Sequence, residues 1–238
     1  MKKLIFKDLI VFEDDNFIAI NKPYDVSTLE DRDKTRQNIL KLAKTYADDA
    51  QVCHRLDRET SGILMIAKNP EAYRHMSMQF ENREVTKIYH AVIEGTKKLD
   101  NQMVDLPISI LKDGSVRIDK MEGKESATIF NTLQAYHRYS LVACLPITGR
   151  MHQIRIHLST IGHPIVADDL YGGKPIFLSS LKRNFKLKKD TEELPLMKRV
   201  ALHAKSLTFN DLANKETTVT AEYPKDFAVL IRQLVENT

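Results

Sequence analysis

The stretch HRLDRETSG, residues 54–62, runs directly into the apolar segment ILMIA, residues 63–67. A short apolar run of this kind is typical of a buried strand, which we expect over Gly62–Ala67. A charged loop that ends on a buried strand gives a functional side chain a rigid base. Asp57, in the middle of the loop, is therefore a candidate catalytic carboxylate. The alternative is a salt-bridged turn in which Asp57 only accepts hydrogen bonds from backbone amides.

Hydrophobic patterning on both sides of this strand predicts an α+β fold. Residues 9–20 hold two apolar runs, LIVF and FIAI, separated by Glu13–Asn16, as in a β-hairpin with an acidic turn. Asn69-Pro70 predicts the start of a helix that continues to about Asn82. Residues 150–160 also have helical spacing. Hairpin strands with single helices between them favour a mixed, mostly antiparallel sheet flanked by helices.

A second chemical stretch, TGRMHQIRIHL, covers residues 148–158. If it is helical, Arg155 points along the same face as the apolar Met151 and Leu158. A guanidinium directed toward the core costs free energy unless a carboxylate meets it, and Asp57 is a natural partner. The alternative is that the side chain of Arg155 bends its charged end back to water.

The charge of the chain is unevenly distributed. The whole sequence of 238 residues carries a net charge of +4, whereas Arg150–Lys205 carries eleven Lys or Arg against five acids, an excess of +6. Five of these cations crowd into Lys182–Lys189. This segment is either a solvated loop or a contact for the phosphate backbone of a nucleic acid.

Other classes of protein are not supported by the sequence. No apolar stretch reaches the roughly 18–20 residues that span a bilayer, so we expect no membrane association and a cytoplasmic location. The histidines lack the spacing of metal ligands, and no metal site is expected. No GxSxG motif supports a serine nucleophile.

Several segments together resemble one family. HRLDRETSG closely resembles the signature loop of the RluA-type RNA pseudouridine synthases. Three further segments resemble motifs of that family and occur in the same order as in the family. The lysine-proline motif corresponds to Asn21-Lys22-Pro23, which precedes the loop. The tyrosine motif corresponds to Lys87-Ile88-Tyr89-His90-Ala91, and the arginine motif to the long segment Gly149–Gly173. The resemblance extends over nearly the whole chain.

The resemblance implies an activity and roles for individual residues. It implies isomerisation of selected uridines in ribosomal or transfer RNA, without a cofactor, by base flipping. Asp57, Arg155 and Tyr89 would be catalytic. Arg55 would fill the space that the flipped base leaves. The remaining residues expected to bind substrate are His54, Lys87, Arg150 and Lys22.

The resemblance also implies a domain organisation, and the sequence departs from the family in places. We expect a single pseudouridine-synthase-like catalytic domain over residues 1–238, without a separate N-terminal RNA-binding domain, acting as a monomer. The family usually has a glycine after lysine-proline, whereas Tyr24-Asp25-Val26-Ser27-Thr28 follows here, which we expect to affect target choice. Ala167 stands where a glycine is common.

Two other functions remain open from the residues alone. One is a non-catalytic RNA-binding or ribosome-assembly protein on the same fold, which would bind RNA without needing Asp57. The other is a carboxylate-dependent hydrolase or nuclease. Such nucleases usually gather several acids around a metal ion, and the flanking Arg55 and Arg58 make that a poor setting.

Overall fold

The computed structural model describes residues 4–30, 36–112, 114–187 and 190–237. The predicted cations Lys188 and Lys189 lie outside these residues. Within the described part of the chain the strands are β1 (Ile10–Glu13), β2 (Phe17–Lys22), β3 (Gln51–Val52), β4 (Ser61–Ala67), β5 (Thr86–Glu94), β6 (Gln102–Asp105), β7 (Ile108–Ile110), β8 (Val116–Ile118), β9 (Ala127–Ala135), β10 (Tyr139–Pro146), β11 (Leu202–Asn210) and β12 (Glu216–Thr220). The α-helices are α1 (Ile39–Tyr46), α2 (Pro70–Glu81), α3 (Gln153–Thr160), α4 (Leu178–Leu181) and α5 (Lys225–Glu236).

The chain divides into two compact units. The first consists of Met1–Tyr89 and His203–Glu222, and the second of His90–Leu202 and Tyr223–Thr238. The predicted α+β class is confirmed: most strand pairs are antiparallel, β4 and β11 are parallel, and helices accompany the strands. Among the described residues, no helix combines the length and the apolar character needed to cross a bilayer.

The first unit is built around β4, which is buried along its whole length. Its strands follow the order β1-β2-β4-β11, with β3 beside β4 and β12 beside β11. Because successive side chains of a strand point to opposite faces, Ile63 and Met65 enter one apolar cluster with Met76 of α2. Leu64 enters a second cluster with Ile39 of α1. The charged loop at residues 54–60 therefore ends on a strand that is packed on both faces.

Two local predictions in the first unit are confirmed. β1 and β2 form the antiparallel hairpin expected from the two apolar runs. α2 begins at Pro70, and the side chain of Asn69 accepts a hydrogen bond from the Ala72 N–H at 2.9 Å, as a helix N-cap does.

The second unit begins within β5, at His90, and its strands follow the order β5-β10-β9-β6, with β9 antiparallel to both β10 and β6. A separate pair of strands, β7 and β8, packs with Ile156 of α3 in a small apolar cluster. The prediction that the helix starts at residue 150 is wrong, since α3 begins at Gln153. His152 has a left-handed backbone (φ 54°) and the Gln153 side chain accepts the Arg150 N–H at 2.9 Å, so the chain turns before it becomes helical.

Candidate active site

Asp57 lies in a turn immediately before β4. Its carbonyl oxygen accepts the Thr60 N–H at 3.0 Å, which closes the turn. β4 begins at Ser61, and its second residue, Gly62, has φ +113°. A Cβ atom at Gly62 would lie 2.1 Å from the Ala204 carbonyl oxygen on β11. Only glycine allows this close parallel approach, so Gly62 fixes where the loop ends.

The start of the same loop is attached to β4 through His54. Its Nε2 accepts the Met65 N–H at 3.1 Å, and its ring centroid lies 5.0 Å from that of Phe80. Burial, with a smaller contribution from the positive charge of Lys87, lowers the pKa of His54 to about 3. The ring is therefore neutral at physiological pH, and a neutral Nε2 is what the contact with the Met65 amide requires.

Tyr89 belongs to the same unit as Asp57. It packs against the apolar cluster that includes Leu56, the residue before Asp57. Burial raises the pKa of the Tyr89 hydroxyl, and the nearby negative charge of Asp57 raises it further. The Tyr89 hydroxyl is thus protonated, and the negative charge of Asp57 disfavours its ionisation.

The other substrate-binding candidates of the first unit have different surroundings. Arg55 is exposed. Lys87 is half-buried, which lowers its pKa, and its Nζ lies 5.9 Å from the centroid of the Phe80 ring. Lys22 is fully buried, and its Nζ donates to the carbonyl oxygens of Pro23 at 3.0 Å and Val26 at 2.9 Å. The contacts of Lys22 and His54 are structural, and their binding of substrate stays a prediction.

Arg155, in the second unit, meets the carboxylate of Asp168. The guanidinium donates from Nε to one carboxylate oxygen at 2.8 Å and from Nη2 to the other at 2.7 Å. Arg155 is 5% exposed and Asp168 is fully buried. The guanidinium carbon also lies 5.1 Å from the centroid of the Tyr171 ring. A buried, bidentate ion pair of this kind holds the arginine side chain in one orientation.

The last candidate, Arg150, is exposed, and its Nε donates to the Glu125 carbonyl oxygen at 3.0 Å. Within the described residues, no group of three or more His, Cys, Asp or Glu side chains is arranged to hold a metal ion.

Comparison with known sequences assigns the chain to a family. The sequence model of the RNA pseudouridylate synthase family matches residues 16–160, which include the Asp57 loop, Tyr89 and Arg155. This chain belongs to that family. A similar curated protein is a ribosomal large subunit pseudouridine synthase C of Vibrio vulnificus, 36% identical over 71% of this chain. The chain spans 54% of the length of that relative.

Two further comparisons extend over almost the whole chain. An uncharacterized RNA pseudouridine synthase of Zymomonas mobilis is 34% identical over 93% of this chain and 96% of its own length. The solved structure of human RNA pseudouridylate synthase domain containing 1 is 27% identical, with a TM-score of 0.69 over 94% of this chain and 87% of that one. The family's fold is therefore present in both units.

Membership of the family makes two backbone positions informative. Asp25, in the segment after lysine-proline that departs from the family pattern, and Ala167, where a glycine is common in the family, both adopt a left-handed backbone, with φ of 64° and 59°. Glycine adopts this conformation without steric cost, whereas other residues are strained in it. Both positions thus have a backbone conformation that glycine adopts more readily than the residue present.

Sequence reasoning missed the partner of Arg155. It gave Asp57 as a natural partner for Arg155, with a side chain bent back to water as the alternative, and assigned no role to Asp168, which supplies the carboxylate 13 residues later. The sequence held a signal, because Asp168 follows the apolar Ile165-Val166-Ala167 at the end of the arginine motif. A carboxylate so close to a buried run is expected to have a cationic partner. The expected pairing of Arg155 with Asp57 stays a prediction.

Proposed function

We propose that this chain is an RNA pseudouridine synthase, an isomerase that converts selected uridines to pseudouridine, with Asp57 starting the reaction. The observation that supports this most is the placement of Asp57. It lies on a loop anchored by His54 at its start and by Gly62 at its end, close enough to Tyr89 to raise that residue's pKa. Family membership supports the same reaction.

The reaction needs only rearrangement of bonds within the substrate. The bond between C1′ of the ribose and N1 of the uracil breaks, the base rotates, and a bond forms between C1′ and C5. The proton on C5 is lost and N1 gains one, so no oxidant, reductant or nucleotide cofactor is consumed. An ionised Asp57 serves either as a nucleophile or as the base that removes a ribose proton.

Tyr89 fits a role as a partner of the uracil ring. Because its pKa is raised, the hydroxyl stays protonated at neutral pH and the ring carries no charge. A neutral aromatic ring is suited to stacking against a base, an interaction worth about 1–3 kcal/mol per base. Removal of the C5 proton by Tyr89 would need a phenolate, which the raised pKa disfavours. We therefore assign Tyr89 to base stacking first.

Arg55 is the residue of this loop best placed to replace a flipped base. A uridine in folded RNA has to leave its stack to reach a buried site, at a cost of roughly a few kcal/mol. Arg55 is exposed, two residues before Asp57, and its planar guanidinium stacks on bases better than an ammonium group would. Arg55→Ala should therefore slow modification of a structured RNA more than that of an unstructured one.

The second unit offers a surface for the RNA backbone. A hollow of about 1090 Å³ is lined by Arg138 of the β9–β10 turn and by Lys182 and Arg183 after α4. All three side chains are exposed, and the described lining residues include no carboxylate. Exposed cations around a hollow without acids attract phosphate groups. We propose that substrate RNA contacts this surface, which we call the basic hollow.

The basic hollow can be tested by its salt dependence. Lys182→Glu with Arg183→Glu should weaken RNA binding and reduce the slope of log affinity against log salt by about 1 to 2, as expected when two phosphate contacts are lost. Lys41→Glu with Lys44→Glu on α1 changes the net charge equally and is the matched control. Equal losses in both double variants would refute a specific contact at the hollow.

Ribosomal RNA of the large subunit is the first substrate to test, because a similar relative is named for it. Wild-type protein, Asp57→Asn and the exposed control Glu30→Gln would each be incubated with unmodified ribosomal and transfer RNA. Pseudouridine would then be mapped at nucleotide resolution, with and without EDTA. We expect modification of one or a few uridines by wild type and Glu30→Gln, none by Asp57→Asn, and no effect of EDTA.

The other outcomes separate the alternative functions. RNA binding without pseudouridine in any variant would favour a non-catalytic RNA-binding protein. RNA cleavage that EDTA stops would favour a nuclease. A single catalytic domain, a monomeric state, a cytoplasmic location and a catalytic role for Arg155 remain predictions on this proposal.

A further inference from the structure

The segment Tyr24–Thr28, which departs from the family pattern, is bonded directly to the loop that carries Asp57. Thr28 is 3% exposed. Its hydroxyl donates to the Leu56 carbonyl oxygen at 2.9 Å and accepts the Leu56 N–H at 3.1 Å. Both polar groups of the Leu56 backbone are therefore held by one side chain.

The other side of Asp57 is held by Asp25. The Asp25 N–H donates to the Arg58 carbonyl oxygen at 2.8 Å. Its carboxylate oxygen Oδ1 accepts from Arg58 Nε at 2.8 Å and from Nη2 at 2.6 Å. Lys22 Nζ also approaches the Arg58 carbonyl oxygen, at 3.4 Å. Backbone and side chain of Arg58 are thus both tied to Asp25.

These contacts fix the backbone of Asp57. The orientation of its side chain depends on two peptide planes, one on each side of its Cα. The plane between Leu56 and Asp57 is held through the Leu56 carbonyl oxygen and Thr28. The plane between Asp57 and Arg58 is held through the Asp57 carbonyl oxygen and the Thr60 N–H. Asp25 then restrains the next residue.

Thr28 is itself mounted on a helix. The carbonyl oxygens of Ser27 and Thr28 accept the N–H groups of Ile39 and Leu40 at 3.0 and 3.1 Å, at the start of α1. Asn38 caps that helix by accepting the Lys41 N–H at 2.9 Å. A helix whose Ile39 is fully buried is a rigid base for the threonine. Restraint therefore passes from α1 through Thr28 to Leu56, next to Asp57.

We propose that Thr28 and Asp25 are positioning residues that orient the carboxylate of Asp57. The inference rests on the proposed function, since it assigns them to the same reaction. It predicts that their loss slows the chemical step while RNA binding stays the same. A displacement of about 1 Å of a reacting group lowers a rate by roughly a hundredfold.

The test compares variants at Thr28 under single-turnover conditions. Thr28→Val keeps the shape of the side chain but removes the hydroxyl, and should lower the rate constant by about 10- to 100-fold. Thr28→Ser restores the hydroxyl and should bring the rate back to within about threefold of wild type. Thr45→Val is the matched control, because it also removes a hydroxyl bonded to a carbonyl oxygen, on the exposed side of α1. The dissociation constant for RNA should stay unchanged in all three.

Asp25→Asn provides a second, milder variant in case Thr28→Val fails to fold. Asparagine tolerates the left-handed backbone but removes the charge, so the rate constant should fall by about 3- to 10-fold at unchanged affinity. A wild-type rate in Thr28→Val or Asp25→Asn, or a loss confined to RNA affinity, would overturn the inference.

Hydrogen exchange separates this inference from the proposed function. Thr28→Val should speed exchange of the Leu56 amide, which needs no RNA and no activity, whereas Thr45→Val should not. If wild type forms no pseudouridine, the proposed function fails. If wild type is active but Thr28→Val neither slows the reaction nor speeds exchange at Leu56, only the positioning role fails.

Discussion

Two ion pairs, one in each unit, differ in their access to water. Arg58 and Asp25 pair beside the proposed catalytic Asp57 with side chains 38% and 60% exposed. Arg155 and Asp168 pair in the second unit with side chains 5% and 0% exposed. In each unit, a non-glycine residue with a left-handed backbone, Asp25 or Ala167, forms or precedes the acidic partner.

The difference indicates two separate uses of the same chemistry. A surface pair contributes about 0.2–1 kcal/mol to stability, because water and salt screen it. Removal of one partner of a buried pair costs about 3–5 kcal/mol, because a charge is left without compensation. The Asp25–Arg58 pair therefore mainly orients the Asp57 loop. The Asp168–Arg155 pair stabilises the second unit and orients Arg155.

The largest expected effect comes from Asp168→Asn. The substitution keeps the shape of the side chain but leaves the buried guanidinium of Arg155 without its counter-charge, so the free energy of unfolding should fall by about 3 kcal/mol. Asp25→Asn should lower it by less than about 1 kcal/mol. Urea unfolding of both variants and of wild type measures the two values.

Asp226→Asn is the control for the buried pair. Asp226 pairs in a similar two-pronged way with Arg199, at 2.8 and 3.1 Å, but is 23% exposed. The decrease in unfolding free energy for Asp226→Asn should lie between those for Asp168→Asn and Asp25→Asn, because Arg199 Nη1 also lies 3.3 Å from two backbone carbonyl oxygens. Equal destabilisation by Asp168→Asn and Asp25→Asn would show that burial does not set the contribution of these pairs to stability.

The two pairs were not equally predictable from the sequence. Patterns of local spacing identified the hairpin of β1 and β2, strand β4 and helix α2, because each is decided by neighbouring residues. A charge on the apolar face of a helix favoured either a carboxylate partner for Arg155 or a side chain bent back to water, and the structure shows a carboxylate partner. The identity of that partner was harder to predict, because Asp168 comes back to α3 through a turn in which Ala167 has a left-handed backbone, and only its place after an apolar run pointed to it.

The Asp25 contacts were hidden for another reason. Asp25 and Arg58 are 33 residues apart in sequence and meet only because β2 and β4 pair side by side. The contacts of Lys22 Nζ with the carbonyl oxygens of Pro23 and Arg58 were hidden in the same way, and its predicted binding of substrate stays a prediction. Long-range contacts of this kind follow from strand register, which single-sequence spacing does not determine.

A smaller effect on stability is expected from a change in pH, because His54, at the start of the Asp57 loop, is held neutral in the folded protein. The pKa of His54 is about 3 in the folded protein, below its ordinary value of 6.5. Below pH 6.5 the unfolded chain binds a proton at this residue that the folded protein does not, so stability falls as the pH decreases toward 3. The contribution of His54 should be about 1 kcal/mol of stability lost between about pH 7.5 and pH 5.5.

His54→Gln isolates this contribution. The amide oxygen of glutamine can accept the Met65 N–H but does not titrate, so the unfolding free energy should depend less on pH than in wild type. Some dependence should remain, because burial also lowers the pKa of His157 in the second unit. Urea unfolding across the same pH range measures both. An unchanged slope in His54→Gln would show that His54 is not held neutral.

The smallest effect on stability is expected when glycine replaces Ala167 or Asp25, the two residues with a left-handed backbone beside these ion pairs. Ala167→Gly should change the free energy of unfolding by less than about 1 kcal/mol. Relief of backbone strain is offset by the greater freedom of glycine in the unfolded chain. Ala167→Val should destabilise the protein, since a β-branched residue is poorly accommodated at φ 59°.

Asp25→Gly should also change the free energy of unfolding only slightly, because relief of backbone strain compensates for the loss of a weak surface ion pair. Its effect on the rate should nevertheless differ. Asp25→Gly removes the carboxylate that holds Arg58, whereas Ala167→Gly leaves the carboxylate of Asp168 in place. Pseudouridine formation should therefore slow in Asp25→Gly and stay near wild type in Ala167→Gly. Equal rates in the two variants would mean that the left-handed backbone alone, and not the carboxylate it presents, determines the geometry of the Asp57 loop.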